Sequence, residues 1–236
     1  MLASAPMSDD GRGRLLVVAT PIGNLDDLSP RARQALERAD LVACEDTRRT
    51  GLLLSRLGFK RPLVSLHEHN ERQRLPRLLD ALARGETVAL ASDAGTPLVS
   101  DPGYLLVREA VAAGHRVEPI PGPSALLAAL VVSGLPPQPF TFCGFPPPKR
   151  GKRRTFYERF GALGHTLVVY ESPHRLLASL GDALEVLGDR PAALVREATK
   201  LYEETLRGPL SELISQLSAR PGVKGEFVVV IGAGEA

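Results

Sequence analysis

The sequence predicts an α/β protein of two α/β domains, a parallel-sheet N-terminal domain and a mixed-sheet C-terminal domain, and three observations lead there. Short apolar runs alternate with stretches of helical spacing from residue 14 to residue 120, the pattern of a parallel sheet with helices on both faces. Pro119-Ile120-Pro121-Gly122-Pro123-Ser124 then places three prolines and a glycine in six residues, which stops helix and sheet alike and marks a boundary. After residue 191 two strand-like runs follow in close succession, so the second half is mixed rather than purely parallel. The domains are expected at 14–121 and 122–236, with residues 1–13, rich in Ala, Ser, Asp and Gly, as a disordered tail.

Each element has its own signal. Residues 15–19 are a continuous apolar run and read as a central strand, ending in the tight turn Thr20-Pro21-Ile22-Gly23-Asn24-Leu25. Ser29 as N-cap and Pro30 at the first helical position open a helix to about Ala39. Strands follow at 41–44, 63–66, 87–91 and 116–120, alternating with helices at 50–57, 71–83 and 104–113, the last with Asp101 as N-cap. In the second half, helices are expected at 124–132, 153–160, 175–187 and 210–217. Strands are expected there at 141–143, 166–170, 192–196, 203–207 and 227–231.

Composition bounds the function. Hydrophobic residues at 44% and charged residues at 24% are ordinary globular values, and the net charge of +2 does not by itself demand a nucleic-acid partner. Two cysteines, Cys44 and Cys143, exclude a disulfide framework and suit a reducing cytoplasm. The longest apolar run, at 125–132, is far short of the ~20 residues a membrane-spanning helix needs. No signal-peptide pattern opens the chain, so a cytoplasmic protein with no membrane partner is expected.

The densest cluster of small and turn residues is 92–103, Ser-Asp-Ala-Gly-Thr-Pro-Leu-Val-Ser-Asp-Pro-Gly, where a buried strand empties through a long turn into a helix. Gly95 and Gly103 can take backbone angles closed to other residues, and Gly95 leaves room for another molecule against the chain. Ligands bind at the carboxyl ends of strands in open α/β sheets, so this turn is the leading candidate for a small-molecule site. Dinucleotide and phosphate-loop signatures are missing, which argues against kinase or ATPase chemistry. His67 and His69 would share one face of a strand, but no ligand spacing accompanies them, and no metal is expected. Lys149, Arg150, Lys152, Arg153 and Arg154 put five cations in six residues, beside Phe145-Pro146-Pro147-Pro148. A flexible basic loop of this kind suits phosphate backbone, or serves only solubility.

The stretches Ala19–Leu25, Cys44–Arg48, His67–Glu71, Ser92–Gly103, Pro121–Ala125 and Glu171–Arg175, taken together in order, resemble the bacterial small-subunit (16S) ribosomal RNA cytidine 2′-O-methyltransferase family, within the tetrapyrrole (corrin/porphyrin) methylase superfamily. The resemblance covers residues 14–233. It implies a tetrapyrrole methylase-like fold, S-adenosyl-L-methionine in a cleft between two domains, a homodimer, and a small-subunit ribosomal RNA or ribosomal subunit as partner, methylated on a decoding-centre cytidine ribose. Its cofactor contacts fall on Pro21, on Asp93, Gly95, Thr96 and Val99, on Ser124 and Ala125, and near Tyr170 and Ala198. RNA contacts are assigned to the cations at 149–154 together with His174 and Arg175. The chain stops just after its last strand, where many members carry a further helical segment, and Tyr202 stands where a histidine is common.

Removing the proton of a ribose hydroxyl calls for an acceptor at a strand exit. Asp46 and Glu171 rank first and Lys200 next, with Glu45 also placed there. Asp46 is equally suited to cap the following helix, Glu171 to pair with Arg175, and a lysine serves only if its pKa is lowered. Two other readings stand beside this one: a methylase of a small tetrapyrrole, and a non-catalytic RNA-binding protein.

Overall fold

The computed structural model describes residues 13–234. The described residues divide into two compact units, 13–21 with Leu25–Pro123, and Ile22–Asn24 with 124–234. Of the expected tail, residues 1–12 lie outside the described residues. Gly13, assigned to that tail, is instead buried against Leu82, where an added Cβ would sit 2.0 Å from the carbonyl oxygen.

The first unit runs β1 (Arg14–Val18), a short 3-10 turn (Leu25–Asp27), α1 (Pro30–Arg38), β2 (Leu41–Cys44), α2 (Thr47–Arg56) and β3 (Leu63–Ser65). It continues with α3 (Glu71–Ala83), β4 (Thr87–Ala91), α4 (Tyr104–Ala112) and β5 (Arg116–Ile120). The sheet order is β3-β2-β4-β1-β5, and every pairing is parallel. Successive strand side chains point to opposite faces. Leu15 therefore joins a core with Leu78, Leu82 and Leu106, while Leu16 and Val18 join another with Leu36 and Leu54. A sheet buried on both faces leaves only its ends for chemistry.

Caps explain where the helices begin. Ser29 accepts from the Ala32 N–H at 3.0 Å, with Pro30 in the first turn. Helix α2 starts at Thr47, three residues earlier than its apolar spacing suggests, because Asp46 caps it by accepting from the Arg48 N–H at 2.8 Å. Asp101 is not the cap of α4. Gly103 holds that position with φ +118°, and the buried Glu71 carboxylate takes the N–H groups of Leu105 and Leu106 at 2.9 and 3.3 Å. A carboxylate from another helix thus does the work expected of a local residue.

The second unit runs α5 (Ala125–Val132), β6 (Phe140–Gly144), α6 (Arg150–Gly161), β7 (Thr166–Glu171), α7 (Leu176–Leu187), β8 (Pro191–Arg196), β9 (Glu204–Pro209), α8 (Leu210–Ser218) and β10 (Phe227–Ile231). The order β6-β7-β10-β8-β9 is mixed: β6 and β7 are parallel and the other pairs antiparallel. Leu167, Val169, Leu194 and Val229 meet Leu176, Leu180 and Leu213 in its core. Tyr157 is buried with them, its hydroxyl satisfied by Ser179 at 2.8 Å.

Candidate functional site

In the first unit the exits of β1, β2 and β4 are laced together by the loop 92–103. Thr20 and Gly95 exchange backbone hydrogen bonds at 2.9 and 3.0 Å, and the Thr20 hydroxyl donates to the Ser92 carbonyl at 3.0 Å. Thr96 donates to the Pro123 carbonyl at 3.2 Å, which ties the same loop to the exit of β5. Gly95 sits at φ +85°, with Leu98 and Ser100 at +71° and +69°. Left-handed backbone at non-glycine residues costs of order 1–3 kcal/mol each and persists only where its surroundings over-determine it, a feature that concentrates at ligand clamps. Gly95 is therefore required by its own conformation, whatever lies against it.

Four carboxyl groups stand at these exits in different states. Asp93 accepts the Asp46 N–H at 3.1 Å on one oxygen and pairs with Arg49 at 3.3 Å on the other, so its charge is spent inside the protein. Asp46 is held down to about 2 by its hydrogen bonds from Arg48, which makes it a helix cap and a poor proton acceptor. Burial, and then the nearby Asp93 charge, push Glu45 up. Burial pushes Asp101 up to about 6, helped by Glu45 and Asp93 against a lowering hydrogen bond with Ser92. Asp101 is the group the sequence misplaced: a turn aspartate before Pro-Gly looks like a cap, and only the fold brings it among other carboxylates.

His67 and His69 do not lie on a strand, since β3 ends at Ser65. Their rings meet edge to face at 6.0 Å, and the His67 N–H donates to Asn70. Among the described residues no group of three or more His, Cys, Asp or Glu is arranged to hold a metal. Nor is any described helix long and apolar enough to cross a membrane.

In the second unit the exit of β7 carries Tyr170 and Glu171. The Tyr170 ring packs edgewise on Phe142 at 4.9 Å and on Phe145 at 5.5 Å. Glu171 is buried; its Oε1 accepts from the Ser172 N–H and pairs with Arg175 at 2.9 Å, while its Oε2 is buried without a partner. Past β8, Glu197 and Thr199 adopt φ +49° and +67°, and the Thr199 hydroxyl is likewise buried and unpartnered. A Cβ on Gly23 would lie 2.3 Å from Lys200 Cγ, so the Ile22–Asn24 stretch packs directly on this segment. Lys200 bonds Glu197 and Glu226 at 3.1 and 2.7 Å; burial works to lower its pKa, but the two carboxylates win and raise it. A base needs the opposite.

The cations at 149–154 are not a flexible loop. Helix α6 begins at Arg150, and Arg153 is buried on Asp182 in an ion pair with a 2.5 Å contact. Arg150 and Arg154 pair with Glu185 on α7. Lys149 and Lys152 remain exposed, as does His174. The spacing of the charges was visible in sequence; their partners, some thirty residues away on α7, were not.

This two-unit α/β fold, with strained loops at its strand exits, is that of a methylase: a family model described as Tetrapyrrole (Corrin/Porphyrin) Methylases matches residues 14–214. The chain is 53% identical over 223 residues to "Ribosomal RNA small subunit methyltransferase I" of Mesorhizobium japonicum, covering 94% of this chain and 76% of that protein. It is 46% identical to the protein of that name from Thermotoga maritima, covering 94% of this chain and all of that one (100%). The chain belongs to the tetrapyrrole methylase family and, within it, to the ribosomal RNA small subunit methyltransferase I group. Among solved structures it resembles the methyltransferase CobJ (TM-score 0.70, 20% identity, covering 94% of this chain and 95% of that one). It also resembles diphthine synthase (TM-score 0.71, 16% identity, 93% and 90%). These likenesses concern the fold alone.

Proposed function

We propose that this chain is a cytoplasmic, homodimeric S-adenosylmethionine-dependent methyltransferase that acts on the ribose 2′-hydroxyl of a decoding-centre cytidine in small-subunit ribosomal RNA. The observation that carries the reading is near-50% identity along almost the whole chain to proteins named as small-subunit ribosomal RNA methyltransferases. The residues present fit a polar donor. The unpartnered Thr199 hydroxyl and Glu171 Oε2 are buried beside Ala198 and Tyr170, and helix α5 begins after Ser124 without a side-chain cap. In the first unit the candidate donor contacts are Gly95, Thr96 and Val99, with Pro21 stiffening the β1 exit; in the second they are Ser124, Ala125, Tyr170 and Ala198. Asp93 would act indirectly, by fixing the loop.

When bound, S-adenosylmethionine supplies a methyl group on a positively charged sulfur. The chain's remaining tasks are to orient the ribose and to take its proton. Asp101 is the best-matched acceptor, with Glu45 beside it, because a carboxylate near 6 is ionised at neutral pH yet more basic than an ordinary one. Glu171 and Lys200 serve as positioning residues, the first through Arg175 and the second through Glu197 and Glu226. For the homodimer, α5 offers an apolar face: Leu127, Val131 and Val132 are 49%, 75% and 42% exposed.

The test is transfer of labelled methyl to small ribosomal subunits and, in parallel, to a porphyrinogen. Label in the ribosomal RNA alone supports this reading; label in the porphyrinogen alone replaces it with the tetrapyrrole one, and label in neither points to the non-catalytic one.

A further inference from the structure

The exit of β6 carries a feature the reaction above does not use. A β-bulge interrupts the β6–β7 register between Phe142 and Gly144, and Gly144 takes φ +70°. Bulges re-aim side chains, and this one delivers Phe145 to the surface with 52% of its area exposed. The residues that follow are pinned. Arg175 donates to the Pro146 carbonyl at 3.4 Å and Arg153 to the Pro148 carbonyl at 3.1 Å. Both guanidinium groups are anchored in turn, on the buried Glu171 and the buried Asp182. Two arginine clamps on two buried carboxylates thus hold the proline stretch after Phe145, whose own half-exposed ring rests edgewise on Tyr170 at 5.5 Å. Lys149, at the far end of the same short loop, and Lys152, in the first turn of α6, are exposed and form no ion pair among the described residues.

We propose that Phe145 is a stacking platform for an unpaired base of the RNA substrate, with Lys149 and Lys152 holding the adjoining phosphates. The proposal rests on the ribosomal RNA reading above and names how that substrate is recognised. Unpaired bases offer a free π-face and are bound by aromatic rings, whereas bases within a duplex are already stacked. A platform that is rigid beforehand loses little freedom on binding, which gives the proline loop and its clamps a purpose. The exposed lysines that follow Phe145 in the chain favour a nucleic acid over an apolar peptide.

The sequence contains no tryptophan, so Phe145→Trp places a single indole fluorophore at the proposed contact. A short single-stranded oligoribonucleotide is expected to quench it and a blunt RNA duplex is not. By fluorescence anisotropy, Phe145→Ala should weaken single-strand binding roughly tenfold at unchanged salt slope, while Phe145→Tyr binds as wild type. The Lys149→Ala, Lys152→Ala double variant should instead lower the salt slope by about 1.4. Unchanged affinity of Phe145→Ala, or equal quenching by duplex and single strand, overturns the proposal. If that happens while the wild-type protein still methylates small subunits, the stacking inference alone fails; a wild-type protein that binds and methylates no RNA removes both.

Discussion

The Asp93 carboxylate accepts the backbone N–H of Asp46 at 3.1 Å, joining the exits of β2 and β4. That bond reassigns both residues: Asp93 fixes the loop, and Asp46 is a fixed cap whose side chain belongs to Arg48. Asp93→Ala leaves the N–H of Asp46 without its acceptor and should cost about 1–2 kcal/mol in urea denaturation. Asp93→Asn, which keeps an acceptor oxygen, should recover most of the loss. Equal destabilisation by both variants would mean that the charge opposite Arg49, not the bond, matters.

Asp101 gives a pH signature. With its carboxyl at about 6 in the folded protein and near 4 when unfolded, the folded state binds the proton more tightly. Its contribution to stability is therefore fully present below about 4 and lost as pH rises through about 6. Asp101→Asn should raise Tm at pH 7 and leave it unchanged near pH 4. If Asp101 takes the ribose proton, the single-turnover methylation rate should fall as pH drops through 6, and the asparagine variant should lose both the rate and its pH dependence. A variant with wild-type chemistry would pass the role to Glu45 or to water.

Arg153 and Lys152, neighbours in sequence, should behave as different classes of residue. Arg153→Ala removes the buried partner of one Asp182 oxygen and leaves the other to Arg150 at 3.2 Å, so it is expected to cost about 1–3 kcal/mol. Lys152→Ala should leave stability within about 0.5 kcal/mol and weaken RNA binding in a salt-dependent way. Thermal denaturation and anisotropy on the two variants separate these outcomes, and an Arg153→Ala protein of wild-type stability would contradict the buried pair.

The exposed α5 face should be a subunit contact. Val131→Glu is expected to shift the mass measured by sedimentation equilibrium from dimer to monomer; a wild-type protein that is already monomeric would contradict the homodimer.

The strands and most helices were legible because their signals are local: β1 is apolar from Leu15 onward, and Ser29-Pro30 opens α1 as its cap chemistry requires. What was not legible depended on long-range partners. Nothing near Asp101 in sequence announces that Glu71 caps α4, and nothing near Arg153 announces Asp182. The site suffered the same blindness. Lys200 has the residue type of a base, but Glu226, on another segment, sets its protonation the other way. Gly95 was legible as a turn glycine, yet its φ of +85° means that any side chain there would strain the backbone, whatever lies against it.

The most direct measurement is methyl transfer from labelled S-adenosylmethionine to small ribosomal subunits lacking the modification, followed by digestion to nucleosides and chromatography of the product. The account predicts label in 2′-O-methylcytidine alone, at a single methyl per subunit, abolished by Asp101→Asn. Label on a base, on another nucleoside, or only in a tetrapyrrole acceptor would contradict it.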